Sequence, residues 1–334
     1  MVSHGGKMNA VVCDGVGGAS VMRIAQVARP SAGVGQVLIR VHAAGVNRPD
    51  VLQRSGLYAP PVDASPVLGL EVAGEVVGGD LGDGLALGNS VCALTHGGGY
   101  AEYVVAERAQ CLPVPQGWTL VQAASLPETF FTVWFNVFER AHLGRDGVET
   151  LLVHAGASGI GVAAIQMATA MGQKVWVTAG TSEKRDACIQ LGALGALDYH
   201  EDDWADVFFR MTEKKGADVI LDMVGGRSLA SNMKALAHGG RLSWIAFLAG
   251  HRVELKINEV MAKEVSFTGS YLRRQSNAMK AQIARQLHSE IWPRIENGKI
   301  KPVIDRVFDF KDVILAHNRM ESNLNIGKIV LQWR

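Results

Sequence analysis

Hydrophobic positions in the first third of the chain fall into short runs broken by glycine-rich turns. Residues 8–46 read as β structure. Asn9–Cys13 alternates loosely, Asp14–Gly18 is a turn, and Val37–Val46 is a long run rich in branched side chains. Asn47-Arg48-Pro49-Asp50 breaks that run, and Val51–Arg54 suits one helical turn before the stiff loop Gly56–Pro61. Strand signals resume at Gly69–Val77, Ser90–Ala93 and Tyr100–Val105, separated by the turns Gly78–Gly88 and Gly97–Gly99. Many short strands with frequent turns predict a compact, partly open β-barrel.

The pattern changes near Leu120, where helical character begins and runs to Arg140. Beyond it, apolar strand runs alternate with helical blocks. Strands are predicted at Leu151–Val153, Val175–Thr178, Ala196–Asp198, Asp218–Met223, Leu242–Phe247 and Val265–Ser270. Helices are predicted over Val162–Met171, Glu183–Leu191, Asp202–Thr212 and Leu229–Ala237, the last ended by Gly239-Gly240. Such alternation implies a parallel sheet covered on both faces. A long helix follows over Ala278–Glu296, with Ile283, Leu287, Ile291 and Ile295 repeating every four. The tail returns to strand at Ile329–Trp333, which needs a partner sheet and so folds back on the first domain.

The stretch Thr150–Gly180 organises the second half. It reads as a strand, then Gly156-Ala157-Ser158-Gly159-Ile160-Gly161, then a small-residue helix and a second strand. A βαβ unit with a glycine turn is a phosphate cradle, because a helix N-terminus presents unpaired N–H groups to an anion. Gly156 is expected to let the chain leave the strand, Gly159 to admit a pyrophosphate, and Gly161 to bring the helix close to the sheet. The chemistry implied is hydride transfer from a nicotinamide. With 38 glycines in the chain, the string gains its meaning from the flanking strands and helix.

Composition narrows the class. The 334 residues suffice for two cores, and 48% hydrophobic with 19% charged residues describes an ordinary globular protein. A net charge of +1 offers nothing to steer nucleic acid or an anionic membrane. Four cysteines without a C-x-x-C pair read as buried small hydrophobes in a reducing compartment. The sequence has no signal-peptide core and no apolar run long enough to span a bilayer, so a cytoplasmic protein is expected.

Taken in order, five stretches carry a resemblance across nearly the whole length: Gly45–Asp50, Arg54–Tyr58, Gly69–Gly74, His154–Gln166, and the tail Met320–Asn323 with Ile326–Val330. Together they resemble the zinc-free, zeta-crystallin-type quinone oxidoreductases of the medium-chain dehydrogenase/reductase superfamily. The resemblance implies an α/β fold: a Rossmann doubly wound parallel sheet plus a GroES-like, partly open β-barrel. It places the GroES-like catalytic domain at residues 1–129 and 271–334 and the NADPH-binding Rossmann domain at 130–270. The superfamily's alcohol dehydrogenases bind a catalytic zinc through a cysteine and a histidine. Asn47 and Leu70 hold those places here, and neither an amide paired with an alkyl chain nor the two cysteines Cys92 and Cys111 would hold zinc. No metal is therefore expected.

What remains is reduction of a quinone, or of an alkene conjugated to a carbonyl. By resemblance Asn47 and Tyr58 are the catalytic residues lining the nicotinamide and acceptor cleft, and Thr132 touches the nicotinamide. Cofactor contacts are implied for Asn47, Thr132, Gly156, Ser158, Gly159, Ile160, Gly161, Phe247 and Asn325. Turn or packing roles for Asn47 and Tyr58 are the plainer alternatives, and His96 beside its glycines reads as a turn residue. Glu71 reads as a buried structural carboxylate. At the end of the second strand the acid that marks NAD binding is replaced by Gly180, with Ser182, Lys184 and Arg185 following. These donors, with Tyr199 after the third strand, suit the 2′-phosphate of NADPH. The expected activity is NADPH-dependent quinone reduction without zinc. The rivals are an enal, enone or enoyl-thioester reductase on this scaffold, and an NADPH- or RNA-binding protein with little turnover. A homodimer through the edge strand Val265–Ser270 is carried over from the family.

Overall fold

The structure is a computed structural model and describes residues 6–333. The chain divides into two compact units: residues 1–131, 273–298 and 302–334 in the first, residues 132–272 and 299–301 in the second.

Strands of the first unit are β1 (Lys7–Cys13), β2 (Met22–Ala28), β3 (Gln36–Val46), β4 (Glu71–Gly79), β5 (Ser90–Leu94), β6 (Tyr103–Glu107) and β7 (Cys111–Pro113). The second unit holds β8 (Thr150–Val153), β9 (Lys174–Ala179), β10 (Gly195–Asp198), β11 (Ala217–Asp222), β12 (Leu236–Trp244) and β13 (Ser266–Gly269). The tail adds β14 (Ile304–Asp309) and β15 (Lys328–Gln332) to the first unit.

In the first unit β1 and β2 form an antiparallel hairpin, and the larger sheet runs β14-β15-β3-β4-β5-β7, with β6 also paired to β3. Strand β15 does find its partner in β3, with Ile329 opposite Val46. The branched run in β3 lies at the centre, where Val37, Ile39 and Val41 pack with Val72, Val76 and Val104 in the core. Burying these side chains supplies roughly 1.5–3 kcal/mol each.

The second unit is a six-stranded parallel sheet in the order β10-β9-β8-β11-β12-β13. Strand order reverses beside β8, the first strand of the unit, so a crevice opens at the carboxyl ends of β8 and β11. The turn after β11 is fixed by Asp222, which is fully buried. Its carboxylate accepts from the N–H groups of Val224 and Gly225, from Ser228 and Asn232, and from the indole of Trp244.

The structure corrects several boundaries. The predicted helix Leu229–Ala237 stops at Ala235, and Leu236 already starts β12, so Gly239-Gly240 lies inside a strand. The long helix contains a wide turn at Leu287–Ile291 just before Pro293, whose ring removes a backbone donor. Strand β14 and the helix Val313–Glu321 gave no clear signal. β14 pairs only with β15 at the sheet edge, and its half-exposed residues show no apolar face. All four cysteines are free, with Cys92 and Cys188 buried but Cys13 and Cys111 only half-buried. Among the described residues no helix is long and apolar enough to cross a membrane.

Candidate functional site

The nucleotide turn follows β8. Here the left-handed residue is Ala155, with φ of 52°, and not Gly156. Gly156 is required for a different reason: a Cβ there would lie 2.5 Å from the Cβ of Val177 on β9. Gly161 is held more tightly still, since its Cβ would meet the carbonyl oxygens of Gly156 at 2.3 Å and Ala155 at 2.5 Å. The first turn of the helix Gly159–Ala170 thus rests directly on the turn that leads into it. Ser158 caps that helix, its hydroxyl accepting from the Gly161 N–H at 3.0 Å. Ser158, Gly159 and Ile160 stay half-exposed, and their place at the helix start suits an anion.

The end of β9 has no side chain at Gly180 because the place is taken. A Cβ would sit 2.5 Å from the Tyr199 hydroxyl and 3.0 Å from His200 Nε2. Tyr199 is half exposed, with its ring 4.4 Å from that of His200. Thr181 caps the next helix by accepting from the Lys184 N–H, which puts Ser182 and Lys184 in the first turn. Arg185 departs from expectation: its guanidinium is paired with Asp198 at 2.6 Å and is committed within the fold. Phe247 follows β12, exposed and edge-on to His251. Gly156–Gly161, Gly180, Tyr199 and Phe247 therefore follow the carboxyl ends of β8, β9, β10 and β12, on one edge of the parallel sheet. Thr132 is buried, and its carbonyl accepts from Asn136 at 2.9 Å.

In the first unit, Asn47 starts the helix Arg48–Arg54, with its backbone N–H donating to Asp50 at 2.8 Å. Its side chain is turned elsewhere. Nδ2 donates to Glu71 at 2.8 Å, and Oδ1 accepts from Lys328 Nζ at 2.5 Å. Lys328 also donates to Glu71 at 2.6 Å, and the other Glu71 oxygen accepts from the Glu128 N–H. Gly45 is bare because a Cβ would overlap the Glu71 carboxylate. Glu71 is thus the buried structural carboxylate expected, and its countercharge is an ammonium.

This cluster continues inward. Asp50 accepts from the Gly69 N–H at 3.0 Å and from the Tyr100 hydroxyl at 3.3 Å. Tyr100 meets His317, and His317 meets Arg54, which forks onto Glu321 at the surface. Burial pushes the Asp50 carboxyl up to about 6, opposed by the N–H groups of Asn47 and Gly69. Burial, and then the charge of Glu71, push Glu128 up to about 8. Burial and the neighbouring Arg54 hold His317 down to about 3, so it is neutral. Tyr58 is half-buried, 5.9 Å from the Arg273 guanidinium. Asn325 is buried and donates to the Gly327 carbonyl, shaping the turn before Lys328. His96 pairs with exposed Asp63, as suits a turn residue.

The group Asn47–Glu71–Lys328 does not fit a zinc ion. Its amide is spent, Leu70 offers only an alkyl chain, and a buried ammonium already answers the carboxylate. Among the described residues no three His, Cys, Asp or Glu side chains gather as ligands. Lys328, Glu128 and Arg273 escaped the sequence reading. Lys328 lies in a tail whose partners are far off in the chain, and the enclosure of half-buried Glu128 and buried Arg273 leaves no local trace.

Comparison with known proteins bears on both units. Residues 33–116 match the alcohol dehydrogenase GroES-like domain, and residues 159–288 match the zinc-binding dehydrogenase domain. The chain is 33% identical to the quinone oxidoreductase of Rattus norvegicus over 97% of both chains. It resembles a solved NAD-dependent alcohol dehydrogenase at 31% identity and TM-score 0.84, covering 98% of this chain and 100% of that one. A mycobacterial protein solved with NADPH is 27% identical with TM-score 0.84, over 97% of this chain and 99% of that one.

Proposed function

Because the chain belongs to the zeta-crystallin-like quinone oxidoreductases of the medium-chain dehydrogenase/reductase superfamily, we propose that it is a zinc-independent reductase that uses NADPH to reduce quinones. The observation that carries this reading is the triad Asn47, Glu71 and Lys328. The superfamily's alcohol dehydrogenases rely on a zinc Lewis acid to acidify the hydroxyl, and these residues leave no ligand set for one. A quinone needs no such help. NADPH, when bound, supplies a hydride.

The chain's own residues would position the reactants. The Ser158–Gly161 helix start would take the pyrophosphate, and Ser182, Lys184 and Tyr199 the 2′-phosphate. Among structural neighbours one is an NAD-dependent alcohol dehydrogenase and another was solved with NADPH, so the choice rests on these residues. Thr132, Phe247, Asn47 and Asn325 are proposed as further cofactor contacts on the family resemblance. Residues 1–129 and 271–334, a range that matches the first unit except at 130–131, 271–272 and 299–301, would form the catalytic domain. There Asn47, its amide held by Glu71 and Lys328, would serve as a rigid wall of the site, and Tyr58 would offer a flat face for the acceptor. Rigid positioning and stacking would lower the barrier by orientation, with no covalent step assigned to the protein. A homodimer through β13 is proposed on the family resemblance, and β13 lies at one of the two sheet edges, as such pairing requires.

The deciding experiment is NADPH consumption with ortho-quinones, para-quinones, a conjugated enal and a crotonyl thioester. Turnover of the quinones is expected. Turnover confined to the enal or thioester would transfer the chain to the enoyl-reductase reading, and tight NADPH binding without turnover would make it a binding protein.

A further inference from the structure

Four buried cations of the first unit can be compared. Lys328 is answered by Glu71, and Arg54 by Glu321. Arg273 and Lys280 are not answered. Arg273 is 8% exposed and Lys280 5%. Arg273 Nη1 donates to the Gln53 side chain at 2.6 Å, while Nε and Nη2 are buried with no partner. Lys280 Nζ donates to the carbonyl of Arg273 itself at 3.0 Å. The carboxyls that influence Arg273 are Asp50, Glu128 and Asp63, and none forms an ion pair with it. Among the described residues two other buried guanidinium atoms lack partners, Arg241 Nη1 and Arg29 Nε. But Arg241 is paired with Glu149 at 2.7 Å, and Arg29 lies 3.7 Å over the Tyr103 ring.

A buried guanidinium without a countercharge is costly, and a second buried ammonium beside it raises that cost. The unpartnered atoms are also the right pair. Nε and Nη2 form one edge of the guanidinium, with two parallel N–H bonds directed alike, the fork that matches a carboxylate. The Tyr58 ring lies 5.9 Å from the same guanidinium. We propose that the Nε–Nη2 edge of Arg273, supported by Lys280, is a binding site for a carboxylate on the electron acceptor, so that the preferred substrate is an anionic quinone. This rests on the assignment of Tyr58 to the acceptor. It narrows the substrate from quinones in general to those carrying a carboxylate within reach of the ring.

The test compares a para-quinone bearing a propanoate side chain with its methyl ester, which has the same ring and differs in charge. The wild type is expected to favour the acid by about tenfold or more in kcat/KM, as one charge-assisted fork would give. Arg273→Gln should collapse the acid-to-ester ratio towards one, and Arg273→Lys should restore part of it. A thermal scan shows whether Arg273→Gln folds. If it does not, Lys280→Met is measured in its place and should lower the same ratio about threefold. Equal use of acid and ester by the wild type would overturn the proposal. So would an equal loss on both in Arg273→Gln, which marks a structural role, or a loss confined to the KM for NADPH. Calorimetric titration of acid and ester separates this site from the quinone assignment. Preferential binding of the acid without turnover of either would leave the anion site standing and remove the reductase reading.

Discussion

Lys328 Nζ lies 2.6 Å from a Glu71 oxygen, and neither side chain is more than 5% exposed. Each charge is in the interior only because the other is. Removing one partner strands a buried ion, at a cost of about 3–5 kcal/mol, while replacing both with apolar groups of similar volume can be near neutral. Lys328→Met is therefore expected to lose several kcal/mol in urea unfolding, and Lys328→Met/Glu71→Leu to recover most of it. A double variant as unstable as the sum of the singles would show that the two act independently.

The same pair bears on metal dependence. Purified protein should carry no stoichiometric zinc, and EDTA should leave quinone turnover unchanged. Asn47→Cys combined with Leu70→His would restore two donors but keep the Lys328 ammonium beside them, so zinc affinity should remain poor. Tight zinc required for turnover in the wild type would refute the role given to Asn47.

Glu128 should make stability depend on pH. Its folded value of about 8 exceeds the ordinary glutamate value of 4.5, so between the two the folded state holds a proton that the unfolded chain has released. Stability then falls as pH rises through 4.5–8, and the contribution present below 4.5 is gone above 8. Glu128→Gln keeps the neutral form at every pH. It should match the wild type at pH 4.5 and exceed it at pH 8.5 by at least about 1.4 kcal/mol, the equivalent of one pKa unit. Asp50 acts with the same sign between 3.8 and 6, while His317 acts oppositely between 3 and 6.5. The comparison at pH 8.5 lies above both windows. Parallel wild-type and variant profiles would sink the assignment.

The nucleotide-binding half was legible because its signals are local. The apolar runs of β8 and β9 bound a glycine turn within some thirty residues, and the helix between them is made of small residues. The division of labour inside the turn was not legible. Nothing in the string Ala155-Gly156 says that the alanine takes the left-handed conformation and the glycine clears Val177. The polar interior of the first unit was harder for a physical reason. Lys328 and Glu71 are 257 positions apart, and only the pairing of β15 with β3, and of β3 with β4, brings them together. The pairing of Arg185 was hidden for the converse reason. A cation at a helix start looks free in sequence, and Asp198, which takes it, comes from a different strand.

Gly161 offers a test of the packed turn. A methyl there meets two backbone carbonyl oxygens at 2.5 Å or less, and backbone cannot swing aside. Gly161→Ala should cost about 3 kcal/mol or more and weaken NADPH binding with it. Gly172→Ala is the control. It has φ of 82° with nothing within 4 Å of the new Cβ, so it bears the left-handed penalty alone, about 1–2 kcal/mol. Equal losses of Tm in the two variants would mean that the close approach at Gly161 is not what the fold depends on.

Cofactor choice rests on electrostatics around Gly180. A carboxylate about 4 Å from a 2′-phosphate, at an effective dielectric near 20, would repel each unit charge by about 4 kcal/mol. Gly180 removes that barrier, and the Tyr199 hydroxyl occupies the space where a side chain would begin. Absence of repulsion permits NADPH without favouring it. Preference must come from donors, and the charged candidate is Lys184, in the first turn of the helix Ser182–Gln190. A hydrogen bond to a charged partner contributes about 1.5–3 kcal/mol, nearer the lower figure at this half-exposed position. NADPH should therefore exceed NADH at least tenfold in kcat/KM. Lys184→Ala should cost NADPH roughly tenfold and leave NADH nearly untouched, since NADH has no phosphate to feel the lost charge. Arg185→Ala should change the two cofactors alike. Equal use of both by the wild type, or an equal loss of both in Lys184→Ala, would remove the phosphate site from this end of the sheet.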